Sequence, residues 1–324
     1  MRRAIAVLAL LAATTAGCHT VRGTVGAPGT ARTTASPSPT GPVLAAAGPQ
    51  PEPGKVMLGS YLDLNGMNLR QSLALRQSQL GRQMRILHLY FNWTDGLLDT
   101  IGVVPEGCIP MFSWSPLPAY TSVTDGSQDA LIRAQARAVK AYGKPLFLRW
   151  GWEMNGNWFP WSGVKNPTRT AGYIAAYRHI HDIFAAVGAT NVAWVWSPNY
   201  FSLPDQPWNS MDNYYPGDAY VDWVGTSGYS YGRQLPDFLF GPTYQKYAPR
   251  KPIMITEVGI SEAGGTTRPD WIRAFAQWII AHPRIGALVW FDTDTFKGTN
   301  WRLDTTAAAI AAYHDLANDP HFGG

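Results

Sequence analysis

The residues best placed to do chemistry are two glutamates. Glu153 lies inside Arg149-Trp150-Gly151-Trp152-Glu153-Met154-Asn155-Gly156-Asn157-Trp158-Phe159, a carboxylate among tryptophans closing an apolar run that starts at Pro145. Removal from water disfavours the charged form of such a group and raises its pKa, which is how a general acid is made. Glu257 ends a second run of the same kind, Lys251-Pro252-Ile253-Met254-Ile255-Thr256-Glu257-Val258-Gly259. Two carboxylates in such settings, in a chain with 14 Trp, 15 Tyr and 12 Phe to stack on sugar rings, suggest glycoside hydrolysis.

The elements that must position them follow from an alternation of short apolar runs with longer amphipathic stretches, the pattern of βα units around a parallel sheet. Strands are predicted at Val56 to Leu62, Ile86 to Trp93, Cys108 to Trp114, Pro145 to Gly151, Val192 to Trp196, Val221 to Ser227, Pro252 to Thr256 and Gly286 to Phe291. Helical patterns fall at Met67 to Gly81, Gln128 to Tyr142, Arg169 to Val187, Pro269 to Ala281 and Thr305 to Leu316, with weaker signals at Trp208 to Tyr215 and after Tyr231. Eight strands in this order close most naturally into a single α/β domain, a (β/α)8 TIM barrel. An open doubly wound sheet competes, but no Gly-rich phosphate turn follows the first strand, and no short internal repeat points to a propeller or solenoid. Reactive groups of such barrels sit at the C-terminal ends of strands. Glu153 follows the fourth strand and Glu257 the seventh, three places apart on an eight-membered ring, so the two face each other at the separation of about 5 to 5.5 Å that retaining hydrolysis requires. Arg149, two alternations before Glu153 and so on the same strand face, would point into the barrel and hold Glu257 ionised.

Arg149, followed by Glu153-Met154-Asn155-Gly156 and then Trp158-Phe159-Pro160-Trp161, resembles the acid/base motif of glycoside hydrolase family 26, a group that includes endo-β-mannanases. Val195-Trp196-Ser197-Pro198-Asn199, Tyr215-Pro216-Gly217-Asp218 with Val221-Asp222-Trp223-Val224-Gly225, Ile255-Thr256-Glu257-Val258-Gly259 and Trp290-Phe291 follow in the family's order and approximate spacing. The resemblance covers nearly everything from Val56 onward. It implies a retaining (β/α)8 β-glycosidase with Glu153 as acid/base and Glu257 as nucleophile. Tyr229 would donate its phenol proton to the nucleophile, and Trp158 and Trp290 would be stacking platforms. Trp152, Asn155, Trp114 and His88 complete the expected substrate-binding set, although His88 reads equally well as a satisfied structural histidine. Two positions depart from the family. Trp152 stands where histidine is usual before the acid/base, and Ser227 where aspartate is common, so contacts nearest the cleaved bond differ from those of a typical mannanase. The leading substrate is β-1,4-mannan. Mixed-linkage β-glucan, xylan and a wall or exopolysaccharide glycan made by the same cell stay open, as does a barrel that binds glycans without cutting them, although binding alone does not need two opposed carboxylates.

The chain has 324 residues, of which 15% are charged, with a formal net charge of +4. Part of that charge sits in N-terminal arginines, and no basic block follows, which argues against nucleic acid as a partner. Met1-Arg2-Arg3 and the apolar Ala4 to Ala13 have the form of a secretory signal rather than a membrane span. Thr15-Ala16-Gly17-Cys18 resembles the bacterial lipobox, with Thr15 in place of the usual leucine. The expected division is a lipoprotein-type signal over 1–18, with Cys18 lipidated, a flexible Thr/Ser/Pro/Gly/Ala linker over 19–54, and the hydrolase barrel over 55–324. Ordinary secretion with cleavage nearby is the alternative. The mature protein is then expected outside the cell, touching the membrane only through its lipid, acting as a monomer on polysaccharide without cofactor or metal. Cys108 reads as a buried inert thiol, Trp196 as packing, Asp292 and Asp294 as hydrogen-bonding groups near the mouth, and His179 and His181 as residues on different helix faces rather than a ligand pair.

Overall fold

The computed structural model describes residues 48–117, 119–261, 267–296 and 298–323. The signal, Cys18 and nearly all of the proposed linker lie outside the described residues. Strands β1 (Met57–Asp63), β2 (Ile86–Phe91), β3 (Ile109–Trp114), β4 (Leu146–Trp150), β5 (Val192–Trp196), β6 (Trp223–Ser230), β7 (Ile253–Ile260) and β8 (Ile285–Thr293) form a closed barrel in chain order. All neighbouring strands are parallel. Helices α1 (Leu69–Leu80), α2 (Thr121–Thr124), α3 (Asp129–Tyr142), α4 (Arg169–Val187), α5 (Pro236–Tyr247), α6 (Arg268–Ile280) and α7 (Ala307–Asn318) fill the connections. The expected barrel is therefore the observed one.

Side chains alternate across each strand, and here both faces are covered, so both are apolar. Met57, Ile86, Met111, Phe147, Val195, Trp223, Met254 and Val289 form one buried cluster, which fills the barrel. Farther toward the C-terminal ends the inward positions turn polar, at His88, Ser113, Arg149, Ser197 and Thr256, all buried. Gly225 belongs to this level because nothing larger fits: a Cβ there would stand 2.6 Å from Thr256 and 2.9 Å from Ser197. Below the cluster the chain is already packed at Gly48 and Pro49, residues assigned above to the linker. Both are buried, and the Trp223 indole donates to the Pro49 carbonyl at 2.9 Å.

Strands β6 and β7 run on past Ser227 and Thr256, their expected ends, so Tyr229 and Glu257 sit within strands rather than after them. Helix α1 opens with a capping box, in which the Asn68 side chain and the Gln71 backbone bond reciprocally with their counterparts. Its inner stripe is Ser72, Arg76 and Leu80. An arginine in that stripe is tolerable because Asp292, at the end of β8, accepts from Arg76 Nε at 2.5 Å and Nη2 at 2.9 Å, while Asp304 accepts from Nη2 at 3.0 Å. Asp292 is thus a hydrogen-bonded group, as its sequence neighbours suggest, but a fully buried one that serves as an ion-pair partner. Asp294, bonded to Asn65 N and Arg302, does stay near the surface. Removing one partner of a buried pair leaves the other charge uncompensated. Asp292→Asn is therefore expected to lower the unfolding free energy by about 3 kcal/mol, read as a shifted urea midpoint; an unchanged midpoint would show that Asp304 alone suffices.

Candidate active site

Alternation along β4 places Phe147 and Arg149 inside the barrel, while Trp150 packs outward on Tyr173 and Tyr177 of α4. Arg149 is fully buried. Its Nε donates to Ser113 Oγ at 2.8 Å and its Nη2 donates to Glu257 Oε1. The second oxygen of Glu257 accepts from the Tyr229 hydroxyl at 2.5 Å. Burial first, and the Glu257 charge second, push the Tyr229 pKa well above its ordinary value, so the phenol stays a donor.

Glu257 reaches this position through a bulge. Strand β6 pairs Thr226 with Ile255 and Ser227 with Glu257, skipping Thr256, and β8 pairs Leu288 with Ile255 but Trp290 with Val258. One extra residue in β7 lets consecutive side chains face inward. Thr256 bonds Ser197 Oγ at 2.7 Å, and Glu257 meets Arg149. Strict alternation would have turned the carboxylate toward the helices.

Glu153 comes to the same end by a different route. Strand β4 stops at Trp150, and Gly151 and Glu153 both adopt positive φ, 58° and 52°. Such a backbone is unfavourable for a side-chain-bearing residue. It is held by the Glu153 N–H donating to Ser197 O at 2.8 Å and by Gly156 N–H donating to Glu153 O at 3.0 Å. The Glu153 carboxyl accepts from Asn199 Nδ2 at 3.0 Å and from the Trp158 indole at 2.7 Å. Its pKa is pushed up to about 7, by burial above all and then by the charge of Glu257; Arg149, Asn199 and Trp158 pull the other way and are outweighed. The two carboxyls therefore share one electrostatic site, with Glu257 paired to a buried arginine and Glu153 poised to hold a proton near neutrality.

Aromatic rings surround them. Tyr90 lies 5.3 Å from Trp152, Tyr61 stacks on Phe291 at 5.0 Å, and Phe291 meets Tyr229 at 5.7 Å, all between ring centroids. Trp152 is buried on Phe159 and Trp161, with the Arg149 guanidinium 5.1 Å from its ring centroid. It joins the wall as an apolar surface that also covers the Arg149–Glu257 pair.

Of the residues expected to contact substrate, Arg149, Trp158, Tyr229 and Trp152 gather around the two glutamates. Four do not fit that role. Trp290 is fully buried on the outer face of β8, against Trp271 and Tyr313, and its indole donates to Trp301 O at 2.9 Å; its neighbour Phe291 faces the site instead. Trp114 also points outward, stacked on Trp93 at 4.4 Å and near Phe184 of α4. Asn155 is buried and spans loops: Nδ2 donates to Asn199 O, Phe201 O and Ser202 Oγ, and Oδ1 accepts from Asn199 N. His88 lies a level deeper, a buried structural histidine with Nε2 2.6 Å from Ser113 Oγ and, among the described residues, no hydrogen-bond partner at Nδ1. Burial, and then the Arg149 charge, push the His88 pKa well below the usual histidine value.

Asn199, Tyr90, Tyr61 and Phe291 join the site without being among the expected contacts. Asn199 has a signal in the sequence, since it stands on the rim just past the fifth strand, as Glu153 does past the fourth. Tyr90 is also within reach, two residues from His88 and hence on the same face.

The model of glycosyl hydrolase family 26 matches residues 120–316. Endoglucanase H of Acetivibrio thermocellus is 36% identical over 256 residues, covering 74% of this chain and 28% of that protein. The mannan endo-1,4-beta-mannosidase of Bacillus subtilis strain 168 is 31% identical over 202 residues, 60% of this chain and 48% of the relative. The chain thus spans less than half the length of either. Among solved structures, the Bacillus subtilis mannanase BCman shares the fold, with a TM-score of 0.57 at 21% identity over 82% of this chain and 86% of that one.

The Glu153 pKa has a consequence for stability. A carboxyl at about 7 in the folded protein and near 4.3 unfolded keeps its proton longer when folded, so its contribution is fully present below the unfolded value and is lost as pH rises through the folded one. Glu153→Gln, which carries no such charge, is expected to be more stable than the parent by on the order of 2 kcal/mol at pH 8, the gain vanishing below about pH 4. Urea unfolding at the two pH values checks this; a gain that does not depend on pH would show that Glu153 is charged throughout.

Proposed function

The chain belongs to glycosyl hydrolase family 26, and from that premise we propose that it is a retaining endo-β-glycosidase cutting β-linked polysaccharide, with β-1,4-mannan as its leading substrate. The observation that carries the reading is the pairing of two buried carboxyls at one end of one barrel, Glu257 against the Arg149 guanidinium and Glu153 with its pKa raised to about 7. Glu257, oriented by Arg149 and Tyr229, attacks the anomeric carbon and forms a glycosyl ester. Glu153 gives its proton to the departing oxygen. Esterification removes the Glu257 charge, one of the two influences that raise the Glu153 pKa. The acid thereby becomes a better-ionised base for the second step, in which it takes a proton from the water that attacks the ester from the side the leaving group vacated, so configuration is retained.

Mannan is favoured by the mannosidase relative and, for the fold, by the mannanase structure. Two observations favour a second reading, β-glucan: the 36% identity is to an endoglucanase, and Trp152 offers an apolar face where a polar one is usual. Incubation with galactomannan, glucomannan, barley β-glucan and β-xylan separates them by the oligosaccharides released. Glu153→Ala is expected to lose roughly 10²- to 10⁴-fold in kcat, and Glu257→Ala to release nothing detectable. Tight glycan binding by a wild-type protein that cuts no member of the panel would make this a carbohydrate-binding barrel instead.

The same reading extends to where the enzyme works. Met1-Arg2-Arg3, the apolar run after it and Cys18 support export and attachment to the outer face of a bacterial membrane by a lipid on Cys18, with the Ser/Thr/Pro-rich stretch as tether. Cys18→Ser is then expected to move the protein from the membrane fraction to the medium; wild-type protein already in the medium would overturn the anchor.

A further inference from the structure

Among the described residues the exposed large hydrophobic side chains are Val164, Phe201, Leu235 and Phe238, at 40, 42, 59 and 63% exposure. Two of them, Phe201 and Phe238, belong to one chain of rings. From Trp158, whose indole is bonded to Glu153, the next ring is Phe201 at 5.7 Å. Tyr200 follows at 4.8 Å and Phe238, in the first turn of α5, at 6.1 Å. Leu235 stands just before that turn.

An exposed phenylalanine in a slack loop turns away from water; this one is prevented from doing so. Asn155, fully buried, donates to Phe201 O at 3.0 Å and accepts at its own backbone carbonyl from Leu203 N–H at 2.9 Å. Asn209 reinforces it by donating to Asn155 O at 2.8 Å, and Phe201 N–H donates to Asn199 Oδ1 at 3.3 Å. Asn199 is also the residue that holds the Glu153 carboxyl. The hydrogen-bonded frame that sets Glu153 therefore also fixes the backbone from which the exposed Phe201 ring projects, beside Trp158. Patches kept exposed in this way mark binding surfaces.

We propose that Phe201, Tyr200 and Phe238 form a platform for the sugar residues of a polymeric substrate that lie beyond the bond being cut, on the leaving-group side. This rests on the hydrolase reading above. The side follows from the chemistry. The sugar under attack sits over Glu257, the departing oxygen sits at Glu153, and the chain of rings starts at Trp158, the hydrogen-bond partner of Glu153. Pyranose rings present flat CH faces to aromatic side chains, while their hydroxyls remain solvated at the edge. Such a platform suits an enzyme acting within long chains, where several sugars extend past the cleavage point.

The test uses the full chain, the polysaccharide that the wild type cuts best, and its reducing-end-labelled oligosaccharides of three to six sugars. Phe201→Ala and Phe238→Ala are each expected to lower kcat/KM on the hexasaccharide by about fivefold, mostly through KM, with a smaller loss on the trisaccharide. The preferred bond should also move toward the reducing end, since fewer sugars are gripped beyond it. Phe201→Trp should restore the wild-type pattern. The cleavage pattern does not depend on how much protein folds, and Phe238→Ala alters the most exposed ring, so the platform stays testable even where Phe201→Ala folds poorly. An unchanged pattern, or equal losses at every length, overturns the platform, as does a wild-type dimer in sedimentation that both variants dissolve, which would make the rings a protein interface. A wild type that cuts no glycan overturns the hydrolase reading itself, whereas an active wild type with insensitive variants sinks the platform alone.

Discussion

The contact between Arg149 and Glu257 is the constraint on which the rest of the site depends. Two carboxylates cannot both stay ionised in a buried cleft without a counter-charge, because each disfavours the other and burial disfavours both. Arg149 supplies that counter-charge at Glu257. It is fully buried, braced by Ser113 at Nε and directed at Glu257 by Nη2. With that pair formed, the remaining carboxyl bears the cost of burial and repulsion, and its pKa rises to about 7. The difference between the two glutamates is set by which of them the guanidinium touches. The supporting histidine is then held neutral, first by burial and second by repulsion from Arg149, and His88 titrates well below its usual range.

Much of this is legible from residue order. The strand count puts Glu153 and Glu257 at one end of one barrel, and period-two alternation puts Arg149 on the inner face beneath them. That logic fails where its signal is absent. In a parallel barrel both faces of a strand are buried, so a run such as Ala287-Leu288-Val289-Trp290-Phe291 carries no polar residue to mark its phase. The sequence suggests Trp290 for the inward position, and the structure puts Phe291 there. Trp114 is a different case: Ser113 beside it marks the inward phase of β3, and alternation from it puts Trp114 outward. The bulge at Thr256 is equally invisible: nothing in Ile255-Thr256-Glu257 announces an extra residue, yet without it Glu257 would face the helices. Arg76 is a third case, since a charged residue in a helix pattern reads as surface, and only the approach of Asp292 from a strand 216 positions away makes its burial tolerable.

The loops after β4 and β5 show how a barrel with a rigid interior is given a shaped rim. Glu153 sits in left-handed backbone, a conformation that local preference would not choose, and what keeps it there is contact with β5 and the loop after it: Ser197 O for its amide and Asn199 for its carboxyl. Asn155 closes the frame from the other side, exchanging hydrogen bonds with Asn199 in both directions. The Arg-x-x-x-Glu-x-Asn spacing on one element and the Asn after the next strand are therefore one structural unit, although neither run of sequence names the other as its partner.

Trp152 shows what this frame permits. A polar residue before the acid would offer hydrogen bonds to a sugar; a tryptophan there excludes water and stacks on the guanidinium of Arg149. Excluding water lowers the local dielectric, which strengthens the Arg149–Glu257 attraction and the Glu257–Glu153 repulsion together.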